Sequence, residues 1–481
     1  MLVRVTVSAA PQPGASAIAD AQRRRAYQGR AWRAGTRLAY WSGVILLTLS
    51  GAASHAQVLD PLKPPRNPPW NVHEVFEPLV FPDWWDRDER DKRQPEDRPV
   101  KVRQHSGYES VGLRAGSWMV YPSMTLGGLF DSNVFASNID KRSDLAAVVA
   151  PTVRAHTLWE RHEIDLQASA RSYFYRENPG LDQNNASLTG RSRIDIAHDR
   201  ALLSRFEVAH LNIDVGTLSS PAGAVQPTPY DLLSGDVAYR QEFNRLTVSV
   251  GGRATSYNYG LTRSQDGRVI NQDNRDGQVY ALYGRADYAL SPKFGFFGAL
   301  EGNRRDLRGT PDQTLSSDGY RTLGGAVIQF SPLVMGEIGV GYSSQRFDDS
   351  AQIPKSDGPT YRSMVIWSPT RLIDVWFKAE QLFTQISETS TTSVRARAVQ
   401  LGIDYELLRN VIVSTSGMYE ADKFIGQLRD DDVYSTRAEV RYLPNRFSSI
   451  DLRHNYTQRD SNIPTISYDK HEVSIHVTAR F

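Results

Sequence analysis

From Ser117 to the end of the chain, apolar and polar residues alternate with a period of two. That period is the mark of an extended strand with one apolar and one polar face. In IDLQASARSYF, Ile164, Leu166, Ala168, Ala170 and Phe174 share one face, while Asp165, Gln167, Ser169, Arg171 and Tyr173 share the other. In YSTRAEVRY, Tyr434, Ala438, Val440 and Tyr442 oppose Ser435, Arg437, Glu439 and Arg441. The chain closes on HEVSIHVTARF, where Val473, Ile475, Val477, Ala479 and Phe481 oppose Glu472, Ser474, His476, Thr478 and Arg480. Short turns punctuate the pattern at LWERH, HDRAL, QEFNR, SPKF, SPLV, SPTRL, LLRN and LPNRF, about 40 residues apart. Between them lie longer polar stretches such as LSSPAGAVQPTP, SQDGRVINQDNRDG, RGTPDQTLSSDG and DDSAQIPKSDGP. Eight tight turns and nine longer loops connect eighteen strands, with sixteen as the lower bound because the phase slips near Arg395 and Arg397. An even number leaves both ends of the array on the tight-turn side.

Composition narrows the architecture. The chain has 481 residues, 40% of them apolar, and no cysteine, so disulfides, thiolate metal sites and cysteine nucleophiles are excluded together. The mean hydropathy of −0.45 excludes a helical membrane bundle. A β-propeller would place four short strands in each 40-residue span, whereas here two strands of roughly 10–14 residues fill it, long enough to cross an outer membrane at a tilt. A soluble sandwich would bury Leu, Ile and Phe. These apolar faces instead carry Ala, Gly, Val and Leu in mid-strand, with Tyr173, Tyr175, Tyr239, Tyr342, Trp367, Tyr405, Tyr419 and Tyr442 near strand ends, Tyr173 pointing inward. Aromatics at strand ends read as interfacial girdles, and alternation of short and long connections reads as periplasmic turns and extracellular loops. The expectation is an all-β transmembrane antiparallel up-and-down β-barrel over residues 117–481, in the bacterial outer membrane and embedded in its lipid bilayer. The last strand is expected to close against the first, near Trp118–Leu129.

The formal charge of +2 belongs to the leader: residues 1–56 hold seven Arg against Asp20 alone. Without them the balance is 2 − 6 = −4, so nucleic-acid binding loses its compositional support. YWSGVILLTLSGAASHA is an apolar run too short to span a bilayer, ending in small residues up to Ala56, so residues 1–56 read as a signal peptide. Residues 57–116 place nine prolines between Asp60 and Val100, which forbids continuous helix or sheet. They read as a Pro-rich, disordered periplasmic segment, whose Trp70, Phe76, Phe81, Trp84 and Trp85 also leave open docking on a partner or folding back into a pore.

Residues 112–166 add a resemblance. The Tyr121-Pro122 entry, the Asp131-Ser132-Asn133-Val134-Phe135 loop, Lys141-Arg142-Ser143-Asp144, Pro151 and the Trp159-Glu160-Arg161-His162 turn are similar to the opening of the β-barrel porin family tied to bacterial exopolysaccharide operons. The usual second Asp of that loop is Ser132 here. The resemblance implies an outer-membrane channel taking part in polysaccharide export, with polysaccharide and periplasmic export components as partners, and it transfers no catalytic residue. The terminal strand likewise resembles the signal read by the outer-membrane barrel assembly machinery, with Tyr442, Val473, Ile475, Val477 and Phe481 as its residues.

The inward phase supplies the candidate site. Lumen-facing candidates are Arg171, Arg191, Arg193, Arg253, Glu301, Glu337, Trp376, Lys378, Glu380, Arg437, Glu439, Asp451 and Arg453. Inward cations and anions nearly cancel, whereas a strongly ion-selective pore would show a ring of one sign. Such charges either pair across the wall or line a polar path, and Tyr173, Phe297 and Trp376 are the candidates for a sugar-stacking track. His162-Glu163 and His454 with Asp451 form no triad or paired-carboxylate cluster, so no enzymatic activity, metal or cofactor is expected, although the DDSAQ and RDDDV loops hold acids suited to surface Ca²⁺. The alternatives to export are a general diffusion porin for small polar solutes and a structural or adhesive barrel with binding loops.

Overall fold

The computed structural model describes residues 107–481 together with Val100, Lys101 and His105, apart from 222, 292, 311–312, 332, 352 and 385–392. The signal read at residues 1–56 and most of the Pro-rich segment lie outside the described residues.

Eighteen long strands form one sheet. They are β1 (Trp118–Asp131), β2 (Asp144–Thr157), β3 (His162–Tyr175), β4 (Gln183–Ala197), β5 (Arg200–Ile213) and β6 (Thr228–Phe243). Next come β7 (Leu246–Tyr259), β8 (Gly277–Ser291), β9 (Phe294–Leu307), β10 (Ser317–Ser331), β11 (Val334–Phe347) and β12 (Ser356–Thr370). The last six are β13 (Ile373–Thr384), β14 (Ser393–Leu408), β15 (Val411–Ile425), β16 (Asp430–Asn445), β17 (Ser448–Ser461) and β18 (Tyr468–Arg480). Each strand pairs antiparallel with the next, and β18 pairs with β1 from Ser123↔Arg480 to Asp131↔Glu472, closing the barrel. The pairing lies higher on β1 than Trp118–Leu129 because Leu113–Ala115 folds back and occupies Trp118–Val120. Thr125 and Thr478 share a hydrogen bond of 2.8 Å inside the closure, and the Phe481 amide donates to the Pro122 carbonyl at 3.2 Å.

Alternation is visible as exposure. On β18, Val473, Ile475 and Val477 lie on the outer face and are exposed, whereas Ser474, His476, Thr478 and Arg480 are buried on the inner face. Tyr442 and Phe481 are also exposed outside. Short hairpins and longer loops alternate around the barrel, and Asn244, in one of the hairpins, takes φ +50°, a conformation Asn tolerates in two-residue turns. The phase slip expected near Arg395 and Arg397 does not occur. The register of β14 with β15 runs unbroken from Ser393↔Ile425 to Glu406↔Ile412, with Val394, Ala396 and Ala398 buried, so Arg395 and Arg397 take the outer phase.

Candidate functional site

The inner wall is a web of paired charges, built because residues two apart on a strand, and residues opposite on neighbouring strands, share a face. Arg285 on β8 donates to Asp287 at 2.6 Å and to Glu337 on β11 at 2.7 Å. Arg321 reaches Glu301 at 3.4 Å, Arg253 reaches Asp236 at 3.0 Å, and Arg193 reaches Asp195 at 2.8 Å. Arg441 bonds Asp451 at 2.6 Å and Glu439 at 3.3 Å, and Glu439 also takes Arg453 at 3.1 Å. Arg154 pairs with Asp165. Glu380 stands opposite Arg362, and Arg191 is exposed. Most cations of the wall thus meet a carboxylate, and no ring of one sign forms among the described residues.

The expected aromatic track does not assemble. Phe297 lies over Gly325 and Gly339, where an added Cβ would come within 2.6 and 2.8 Å of its ring, and the Arg285 guanidinium covers it at 4.2 Å. Trp376 lies over Gly402 in the same way, at 2.2 Å from an added Cβ, with its indole N–H donating to Asp404 at 3.0 Å and Lys378 5.3 Å from the ring. Glycine leaves a gap in the wall, and each ring fills its own, so both are committed to packing. Tyr173 instead joins Tyr175 and Tyr468 at a cavity. His454 and Asp451 part company too: His454 stacks on His471 on the exposed face, while Asp451 holds Arg441 inside.

The cavity, of about 190 Å³, lies between β1, β3 and β4 on one side and β14–β18 on the other. It collects the predicted Arg171, Arg437 and Arg453, and adds residues not singled out in the sequence: Gln183, Asn185, Asn455, Lys470 and Asp214. Part of its wall is the loop between β5 and β6. Leu218 of that loop packs with Val394 of β14 and Phe424 of β15. β14 stands nine places from β5, and β15 nine places from β6, in a barrel of eighteen, so the loop crosses the extracellular end of the lumen. Arg459 of β17 donates to the Gly216 carbonyl at 2.9 Å, and Arg275 donates to the Ser219 carbonyl at 3.1 Å. Val215 packs with Val134 and Leu181, tying the loop to the two preceding loops. At the root of the loop, Asp214 accepts a bond from Gln183 at 2.6 Å. Burial pushes its carboxyl up to about 6, against the pull of Lys470 and the Gln183 bond, while Glu472 and Asp131 add to the rise. Lys470 is itself held between Asp131 at 3.1 Å and Glu472 at 2.9 Å.

The opposite end is crossed as well. The Val100 amide donates to Asp374, Lys101 pairs with Asp404 at 3.0 Å, and His105 lies 3.7 Å from Glu406. Arg480 donates to the Tyr108 carbonyl at 3.0 Å. Asp374, Asp404, Glu406 and Arg480 sit near the tight-turn ends of β13, β14 and β18, so the described residues at the end of the Pro-rich stretch lie against the tight-turn mouth of the barrel. Of the loop acids considered for Ca²⁺, Asp348 has both oxygens on Arg304 at 2.8 Å, which holds its carboxyl below the usual range, and Asp431 is taken by Arg429 at 2.6 Å.

No curated protein matches the chain. Among solved structures, OpdL of Pseudomonas aeruginosa is 11% identical, covers 76% of this chain and 98% of its own, and has a TM-score of 0.41. OccK2 (OpdF) of the same organism is 11% identical, with 76% and 97% covered and a TM-score of 0.43. A BenF-like porin from Pseudomonas fluorescens Pf-5 is 10% identical, with 75% and 99% covered and a TM-score of 0.43. Residues 105–481 match the family described as "Putative beta-barrel porin 2"; with its closed eighteen-strand barrel, the chain belongs to that family and is an outer-membrane β-barrel porin.

Proposed function

We propose that this porin conducts a saccharide chain outward across the outer membrane, taking part in exopolysaccharide export. The observation that carries the reading is the cavity between the crossing loop and β14–β18. There Tyr173, Tyr175 and Tyr468 stand beside Arg171, Asn185, Arg437 and Asn455, offering ring faces to sugar C–H groups and donors and acceptors to hydroxyls. In this reading residues 1–56 are removed on export, residues 57–116 remain in the periplasm facing export components, and the terminal strand with Phe481 recruits the assembly machinery. The barrel performs passage and no catalysis. Gene deletion with the synthase left intact is expected to abolish secreted polysaccharide while polymer accumulates inside the envelope; unchanged secretion refutes export.

A general diffusion porin is the second reading, favoured by the pairing of most inner cations with carboxylates, which leaves little to select between ions. Planar-bilayer recordings separate the two. Diffusion requires steady conductance with weak ion preference, whereas export predicts a channel that long oligosaccharides block from the periplasmic side.

A further inference from the structure

The outer wall carries a patch that passage through the lumen does not use. In the register of β14 and β15, Arg395 stands directly opposite Lys423, and Arg397 stands opposite Ala421. Like charges opposite one another across a strand pair destabilise it unless something neutralises them. Arg395 is relieved locally, donating to the Asp357 carbonyl at 3.2 Å with its guanidinium 5.0 Å from the Phe383 ring. Arg397 and Lys423 are exposed, and neither takes an ion pair among the described residues.

One acid, Asp430 of β16, stands directly opposite Lys423, and the other two beside the patch are engaged elsewhere. Asp357 accepts from the Tyr342 hydroxyl at 2.7 Å and pairs with Lys355 at 3.0 Å. Asp432 accepts from the Tyr419 hydroxyl at 2.7 Å. The level of the patch follows from its neighbours. Tyr419 and Tyr434, 5.2 Å apart and exposed on the outer wall, lie one outward-facing step closer to mid-membrane than Arg397. Tyr361 flanks Arg397 in the same row, through Gln381. Outward tyrosines near strand ends mark the boundary between hydrocarbon and headgroups, so cations just beyond them stand at headgroup height. The strand ends concerned are the extracellular ones.

We propose that Arg397 and Lys423, with Arg395 beside them, bind the phosphate of a phosphorylated lipid in the outer leaflet, outside the channel. A guanidinium and an ammonium converging from adjacent strands supply the charge-assisted donors that a phosphate takes, and the tyrosine row beneath receives the start of the acyl region. The lipid phosphate would sit between the two opposed cations of β14 and β15, Lys423 having Asp430 of β16 on its other side.

The test uses the full chain in neutral detergent, with native mass spectrometry reading bound lipid. The probes are a diphosphorylated glycolipid and its dephosphorylated form, with inorganic phosphate as competitor. Wild type is expected to bind the phosphorylated lipid at least tenfold more tightly than the dephosphorylated one. The R397E/K423E variant is expected to lose that difference, and the milder R397Q/K423Q to reduce it. Unboiled gel migration reports that each variant folds as a closed barrel. Equal binding of the two lipids by wild type, or an undiminished preference in folded R397Q/K423Q, overturns the proposal. Displacement of the lipid by millimolar inorganic phosphate overturns the lipid assignment and leaves a simple anion site.

Discussion

Replacing Leu218 with Ala tests whether the loop between β5 and β6 sets the width of the extracellular end. The Leu218 side chain is 2% exposed, against Val394 at 0% and Phe424 at 1%, so truncation empties space that the barrel wall cannot collapse to fill. A buried Leu→Ala change costs about 2–5 kcal/mol. The lower end applies here, because the vacated space borders an aqueous lumen. About 2 kcal/mol corresponds to a roughly 30-fold fall in the ratio of docked to undocked loop. The barrel itself keeps its strand pairing, since Leu218 belongs to no strand. Single-channel recording is the assay: L218A is expected to spend roughly 30-fold more time, relative to wild type, in a higher-conductance level, with unboiled gel migration unchanged. Replacing Arg459 with Ala, which removes the partner of the Gly216 carbonyl, is expected to push the same way. Identical dwell times in wild type and both variants would refute the constriction.

Three further outcomes follow from the same contacts. Asp214 has a carboxyl raised by burial from 3.8 to about 6. The docked loop therefore holds its proton more tightly than the free loop, docking is strongest below pH about 4, and it weakens as pH rises to about 6. High-level dwell time should increase across that window in wild type and stay flat in D214N. Glu301 and Arg321 are both buried and 3.4 Å apart, so E301L strands a charge and should cost about 3 kcal/mol, while E301L/R321L recovers most of it, read by urea unfolding in lipid followed through tryptophan fluorescence. Finally, removing residues 57–108 should raise mean conductance, and K101E should do so partially with rescue by K101E/D404K; equal conductance in all of these would show that this segment leaves the mouth open.

The barrel was legible because it is written locally. A period of two needs only neighbouring residues, and a lipid-facing wall forbids its own exceptions, so Val473, Ile475 and Val477 declare their face without reference to anything distant. The same local pattern nominated Arg171, Arg437 and Arg453, which line the cavity. What those side chains do was not, because each inner contact depends on register: Arg285 finds Glu337 three strands away, and Phe297 lies flat only because Gly325 and Gly339 fall beneath it. Outward cations misled in a related way. Arg395 and Arg397 looked like a slipped phase because a charge on the lipid face breaks the pattern, yet the register is continuous and both residues keep the outer phase. The crossing loop was the hardest to see. LSSPAGAVQPTP is as polar as the loops that face the solvent, and its single informative residue, Leu218, meets Val394 far along the chain on the opposite wall. A loop is read as extracellular by composition and as a constriction only by contact. The contacts that carry this loop across the lumen therefore sit in the part of the chain that sequence pattern describes least.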